Sequence, residues 1–395
     1  MVSFEETVNK AIADGVLQGL VVCAEDARGK WSYSKAFGKQ SLAEGAKDMQ
    51  LDTPLQIASM TKLITTIAVL QLVERGKIGL DDDVKQYIPE LLQEGVLESV
   101  DDKGQATTKP VKNKITLRLL LTHSSGSIYD GYDPRLGQIK KAKGIAPNEG
   151  NTLMERGLFP LLYEPGSRWS YGFSIDWAGR VLEKLSGGTL DSWVKENILP
   201  PLGIKDMSFY PFAPEKVIKN LPMIAQRKGE SGGLVPQPID FINVGAKDSF
   251  GGHGGVISMP EYVKILQSLL ANDEKLLEKQ TVDMMFQPQL GQGSKQTLNA
   301  ILDSPLGAWF VGDFPSGQQY DWGLGGILVT EDNQGRRKKG TLIWSGLANC
   351  FWFIDREAGL CGVFGTQVMP PGDPLVEEVI KEFEFDMNRK FKASL

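Results

Sequence analysis

Ser59 and Lys62 stand three residues apart in Ile57-Ala58-Ser59-Met60-Thr61-Lys62. A serine hydroxyl beside an uncharged lysine amine is a nucleophile with its base. The spacing recurs at Ser32 with Lys35 and at Ser192 with Lys195, so spacing alone selects nothing. Ser32 and Lys35 lie in a strand pattern, where residues three apart point to opposite faces. Ser192 and Lys195 sit between Asp191 and Glu196, which predicts a solvated ammonium, and an ammonium cannot accept a proton. Around Ser59 the pattern differs, because Met60, Leu63, Ile64, Ile67, Leu70 and Val73 recur at helical spacing and Gly76 is placed to end the helix. Residues three apart on a helix are neighbours. Burial in such an apolar helix disfavours the ammonium and can lower a lysine pKa by up to about 3 to 5 units. The helix start also offers Ser59 unpaired N–H groups suited to a developing oxyanion. On these residues alone, a structural Ser-Lys pair is an equal alternative.

The elements that must position this pair fall into two kinds. "MVSFEETVNKAIADG" reads as a helix opened by a capping box, Ser3 with Glu6. Leu20 to Glu25 and Trp31 to Phe37 flank Arg28-Gly29 as an antiparallel hairpin. At the other end, Ile327 to Glu331, Lys339 to Trp344, Cys350 to Asp355 and Leu360 to Thr366 read as an antiparallel meander. A last helix starts at Asp373-Pro374 and carries Leu375, Val379, Phe383, Met387 and Phe391 as a packing stripe. Between these ends the chain alternates helical patterns with Pro- and Gly-rich loops. The expected architecture is α/β (α+β): one antiparallel sheet built from residues 1–75 together with 305–395 and flanked by terminal helices, plus a mostly helical domain over 76–304. The basic run Arg336-Arg337-Lys338-Lys339 follows the turn signal Asn333-Gln334-Gly335 and is expected as a solvated hairpin tip.

Composition narrows the function. The chain has 395 residues, 41% hydrophobic and 23% charged, with a net charge of -6, which suits a globular protein and disfavours nucleic acid as a partner. Its start is acidic where a secretory signal needs basic residues, and no run reaches the roughly 18 apolar residues of a membrane span, so no membrane partner is expected and the cytoplasm is the default compartment. Cys23, Cys350 and Cys361 are expected as buried thiols. Only His123 and His253 occur, so no metal site and no cofactor are expected. No Gly-x-Ser-x-Gly elbow accompanies them, and His123 in "LTHSSG" is expected to order its loop rather than to join a triad.

Two further stretches bear on Ser59. "EPGSRWSYGFSIDWAGRVLEKLSGG" places Tyr171 in a loop directly before a helix from about Ser174 to Ser186, and "GTLIWSGLANC" ends a strand at Trp344 and continues into Ser345-Gly346-Leu347. In order and approximate spacing, Ser59-x-x-Lys62, Tyr171 and Trp344-Ser345-Gly346 resemble the serine β-lactamase-like superfamily, in its class C and penicillin-binding-protein-like branch. "LRLLLTHSSG" and "FGGHGGVISMPEYVKIL" are similar to that branch as well. Within it, "SIDWAG", "FGGHGG", "WGLGG" and "GLANCFWFIDREAGL" look most like fungal polyketide acyltransferases of the lovastatin transesterase type and related carboxylesterases.

The resemblance implies a site between the two lobes. Ser59 would be the nucleophile, with Lys62 and Tyr171 sharing the general-base role, and the N–H groups of Ser59 and Leu347 would form the oxyanion hole. Tyr129, Asp130 and Trp322 would be pocket walls, although as isolated aromatics Tyr129 and Trp322 read more readily as core; for His253, between glycine pairs, a place at the substrate and a structural role are equal alternatives. Two departures refine this. Tyr171-Gly172-Phe173 lacks the asparagine of the β-lactamase second motif, and Trp344 replaces the lysine of Lys-Thr-Gly, with Ser345 and Gly346 after it. The anchors for a β-lactam's acylamino group and for its carboxylate are both gone, and Phe173 and Trp344 are expected to offer an apolar wall instead, with Ser345 and Gly346 also expected at the substrate. The implied reaction moves the acyl group of a hydrophobic ester or thioester, free or held on a carrier protein, to an alcohol or to water. A β-lactamase or D-amino-acid peptidase is the alternative, and an inactive binding protein is the alternative from another class. Oligomeric state is not legible.

Overall fold

The computed structural model describes residues 3–146, 149–210, 212–237, 243–333 and 335–395. Both chain ends enter one seven-stranded antiparallel sheet. Its order is Tyr320–Trp322, Ile327–Val329, Leu342–Gly346, Cys350–Asp355, Leu360–Thr366, Gly19–Asp26 and Ser32–Gly38, so the amino-terminal hairpin joins the meander through Val22 opposite Phe364. Every residue of Cys350–Asp355 and Leu360–Thr366 is buried. A sheet covered on both faces accounts for these continuous apolar runs.

The two covers are identifiable from alternation along one strand. A Cβ on Gly362 would meet Phe383 of the carboxy-terminal helix Pro374–Ala393, whereas one on Gly365 would meet Met259 of the helix Met259–Ala271. Positions 362 and 365 point to opposite faces, so the two helices sandwich the sheet. The amino-terminal helix Phe4–Ala13 joins the first cover: Ser3 accepts the Glu6 N–H, Glu6 accepts the Ser3 N–H, and the Phe4 ring packs 5.6 Å from Phe383. Met259–Ala271 covers the sheet although a boundary at residue 304 assigns it to the helical part.

The basic run is not a solvated tip. Arg336 and Arg337 are buried, and both guanidiniums grip Glu384 of the carboxy-terminal helix, at 2.5 and 2.6 Å, while Arg336 also holds Asp313. A buried carboxylate on another element decided this, and local charge density cannot reveal one. Of the four basic residues Lys339 keeps the expected exposure and Lys338 is half-buried, and Gln334 of the turn lies outside the described residues. The three cysteines are buried free thiols.

The helical part packs against the Thr61–Glu74 helix, which is buried on nearly every side from Thr61 to Leu72. Ahead of it, strand Leu55–Ala58 pairs with Gly255–Ile257. No helix among the described residues is long and apolar enough to cross a membrane.

Candidate active site

Ser59 sits at the joint between the Leu55–Ala58 strand and the Thr61–Glu74 helix. Ala58 just before it holds φ at +42°, a left-handed conformation that costs a non-glycine residue energy and persists only where its surroundings enforce it. They do so through Thr61, whose hydroxyl donates to the Ala58 carbonyl at 2.6 Å and accepts the Gly255 N–H at 2.9 Å. The turn presents Ser59 to a cavity of about 370 Å3, lined chiefly by Tyr129, Tyr132, Tyr171, Phe173, His253 and Leu347, and also by Arg156 and Trp309.

Lys62 lies one helical turn on and is fully buried. Its Nζ is 3.2 Å from Ser59 Oγ and 3.1 Å from the Tyr129 hydroxyl, and it donates to the Gly252 carbonyl at 2.7 Å. A neutral amine has two N–H donors and one lone pair, and the carbonyl can only accept, so this triangle leaves the lone pair for a hydroxyl proton. Burial brings the amine down to about 7, against a smaller upward pull from the Asp176 carboxylate.

Tyr171 approaches from the other lobe. Its loop is pinned to "LTHSSG" by Ser170 N–H to the His123 carbonyl and Gly166 N–H to the Ser124 carbonyl, and Gly172 presses so closely on Ile128 that a Cβ there would lie 2.2 Å from the Ile128 Cα. Lys62 Nζ rests over the Tyr171 ring, 4.5 Å from its centre, rather than on its hydroxyl. That hydroxyl is buried without a hydrogen bond of ordinary geometry among the described residues. Burial pushes its pKa well above 10, and the Ser59 and Trp344 side chains pull against that push. The amine's phenolic partner at hydrogen-bond distance is therefore Tyr129, and Ser59 is the group that Lys62 and Tyr171 have in common.

Behind Ser59, Gly346 lets the Leu342–Gly346 strand abut Leu55–Ala58: a Cβ on Gly346 would lie 2.4 Å from the Ile57 carbonyl oxygen. This close approach is to backbone, not to ligand, and it brings Leu347 to the cavity wall beside Ser59. Among the described residues neither the Ser59 nor the Leu347 N–H has an acceptor in the protein.

Several expected pocket walls lie elsewhere. Asp130 is buried in an ion pair with Lys140 at 2.8 Å, because an unpaired carboxylate there would lack solvation. Trp322 is wholly buried and donates its indole N–H to the Leu121 carbonyl. Trp344 packs 5.1 Å from Tyr171 and 4.8 Å from Trp322, so both tryptophans back the Tyr171 phenol rather than face the cavity. Ser345 is likewise not in the cavity lining. Phe173, Tyr129 and His253 do line it. His123 sits behind Tyr171, ring centres 4.7 Å apart, and burial pushes its pKa well below 6.5, with the Lys62 charge acting the same way.

His253 is oriented by Asn243, whose amide N–H donates to the His253 carbonyl at 2.9 Å and whose oxygen lies 2.8 Å from Nδ1. That arrangement puts the proton on Nδ1 and leaves Nε2 an acceptor. Burial, then Arg156, then Lys62 keep the ring neutral.

Two charged residues escaped the sequence reading. Arg156 is buried beside the cavity, sends Nε and Nη2 to the Gly150 carbonyl at 2.9 and 2.5 Å, stacks 4.4 Å over Phe250, and forms no ion pair among the described residues. Asp176 is buried behind Lys62, and burial raises its pKa to about 6. An Arg in a short helix and an Asp in a helix's first turn carry no local sign of either role.

The beta-lactamase family model matches residues 4–383, so the chain belongs to that family and has its fold. It is 41% identical over 394 residues, 98% of each chain, to the lovastatin esterase of Penicillium rubens. It is 35% identical to the monacolin J acid methylbutanoyltransferase of Aspergillus terreus, covering 97% of this chain and 94% of that one. A solved mutant of the simvastatin synthase of Aspergillus terreus superposes with a TM-score of 0.91 at 34% identity, covering 99% of this chain and 95% of that one. Within the family, this chain stands with the esterases and acyltransferases.

Proposed function

We propose that the chain forms an acyl-enzyme on Ser59 from a hydrophobic ester or thioester and passes the acyl group to an alcohol or to water. The observation that carries this is the buried Lys62 amine 3.2 Å from Ser59 Oγ, at the wall of a largely apolar cavity that also holds the unpaired Ser59 and Leu347 N–H groups. Ser59 attacks the carbonyl carbon while its proton moves to the Lys62 lone pair. The carbonyl oxygen becomes an oxyanion held by the two N–H groups, donors that contribute about 2.7 to 4 kcal/mol each. The proton passes to the leaving group, with the Tyr171 hydroxyl as the relay. The incoming alcohol or water then loses its proton by the reverse path, and Ser59 is released.

Ser59→Ala should acquire no acyl mass from an activated ester in intact-protein mass spectrometry. A mutant that still gains that mass would end the assignment. The relative named for monacolin J acid supports a carboxylate-bearing acceptor for this chain, and Arg156 at the cavity forms no ion pair among the described residues. Arg156→Met should raise KM about 10-fold or more for an acceptor with a carboxylate and leave its methyl ester little changed. Equal effects on both acceptors would remove Arg156 from acid recognition. A carrier-protein-bound acyl donor belongs to the same proposal, and measuring acyl transfer from a carrier-held thioester against a free small thioester tests it.

A further inference from the structure

Asp176 lies on the first turn of the Ser174–Ser186 helix, sealed from water. Its Oδ1 accepts the Gly252 N–H at 2.8 Å, and the same glycine's carbonyl accepts from Lys62 Nζ at 2.7 Å. Oδ2 is buried without a hydrogen-bond partner among the described residues. A Cβ on residue 252 would lie 2.2 Å from that oxygen, so only glycine fits between carboxylate and amine. The adjoining Gly251 carbonyl accepts the Thr65 hydroxyl at 2.7 Å, which ties the loop to the helix that carries Lys62. The loop is thus held at one point by the nucleophile helix and at the next by Asp176.

We propose that Asp176 is a positioning residue for acyl transfer: its carboxylate holds Gly252 so that the glycine carbonyl meets the Lys62 amine, and its negative charge governs the pH at which that amine loses its proton. This rests on the reading of Ser59 and Lys62 as nucleophile and base.

The surroundings leave Asp176 as the carboxylate that acts on the amine. Facing the pair are Arg156 from the Leu153–Gly157 helix, the phenols of Tyr129 and Tyr171, and the rings of His253 and His123. Burial holds both phenols protonated and both imidazoles neutral. Arg180 and Glu183 on Asp176's own helix and Asp248 opposite border the small space behind the carboxylate. Of all these, Asp176 supplies the charge felt at Lys62, and it favours the ammonium. Removing that charge makes the amine less basic, so it stays neutral to lower pH.

Asp176→Asn keeps an acceptor for the Gly252 N–H and removes the charge. The acid limb of its kcat/KM profile should move about 1 pH unit or more downward, the usual reach of a nearby charge. Asp176→Ala loses the anchor as well and should lose about 10- to 100-fold in kcat, a loss that asparagine recovers. An acid limb in Asp176→Asn that stays put or moves upward would overturn the proposal. Fluorophosphonate labelling of the wild-type protein separates the two ideas. No label on Ser59 rejects the nucleophile reading and this proposal with it, and labelling with an unmoved limb rejects this proposal alone. Should Asp176→Asn fail to fold, carbon-13 NMR of the Asp176 carboxyl in Lys62→Met reads the same coupling. The carboxyl must titrate at higher pH once the amine is gone, and an unchanged titration overturns the proposal.

Discussion

An amine sealed among Ser59, Tyr129, Gly252 and the Tyr171 ring keeps its proton only where the surroundings solvate the charge, and a ring face with neutral oxygens does so weakly. In the proposed reaction Lys62 serves as the base only when neutral, and burial brings its pKa down to about 7. Activity should therefore hold above that pH and fall about 10-fold per unit below it, as a kcat/KM profile will show. Lys62→Ala removes the proton acceptor and Tyr171→Phe the relay, each at a cost of about 100-fold or more in kcat. A near-normal rate in either variant would remove that residue from the reaction. Tyr129→Phe, by contrast, keeps the ring against Phe173 and loses only one of the amine's three hydrogen-bond partners.

At the level of elements, the centre depends on two strands meeting without side chains between them. Gly346→Ala would set a Cβ against the Ile57 carbonyl oxygen at 2.4 Å, and backbone on both sides leaves nothing flexible to yield. The Leu342–Gly346 strand must then shift, carrying the Leu347 N–H away from Ser59. Displacements of about 1 Å at such a centre cost on the order of 100-fold. The expected result is a folded variant with slowed acylation in a stopped-flow assay; full activity would show that the glycine serves another purpose.

For the whole molecule, the chain ends are clasped by one carboxylate. Glu5 of the first helix accepts from Lys390 of the last helix at 2.9 and 3.0 Å, from Lys35 at 2.9 Å and from the Tyr33 hydroxyl at 3.0 Å on the edge strand. Burial would raise its pKa, but the two ammoniums and the phenol outweigh it and bring it to about 2 from an ordinary 4.5. A carboxylate with a depressed folded-state pKa stabilises the fold above its unfolded value, and that stabilisation is lost as pH falls through the folded value. Wild type should therefore exceed Glu5→Gln in Tm at neutral pH, with the gap narrowing below about pH 4.5 and closing near pH 2. A pH-independent gap would mean that the clasp works by packing alone.

Much of this was legible before any coordinates. The apolar helix after Ser59, the terminal hairpin and meander, the Ser3–Glu6 cap and the helix at Ser174–Ser186 all follow from periodicity and turn chemistry, which operate within one element. The residue types of the centre, a serine, a lysine and a phenol, were legible for the same reason. Which side chains surround them was not. Arg156 and Asp176 reach Lys62 and the cavity only because three separate segments converge, Arg336 and Arg337 are buried only because Glu384 arrives from a helix 47 residues on, and Trp322 and Trp344 turn inward behind Tyr171. Sequence by itself determined which groups could do chemistry and on what local scaffold. Desolvation and charge at those groups are sums over neighbours distant in the chain, so only the tertiary structure decided which of them can act.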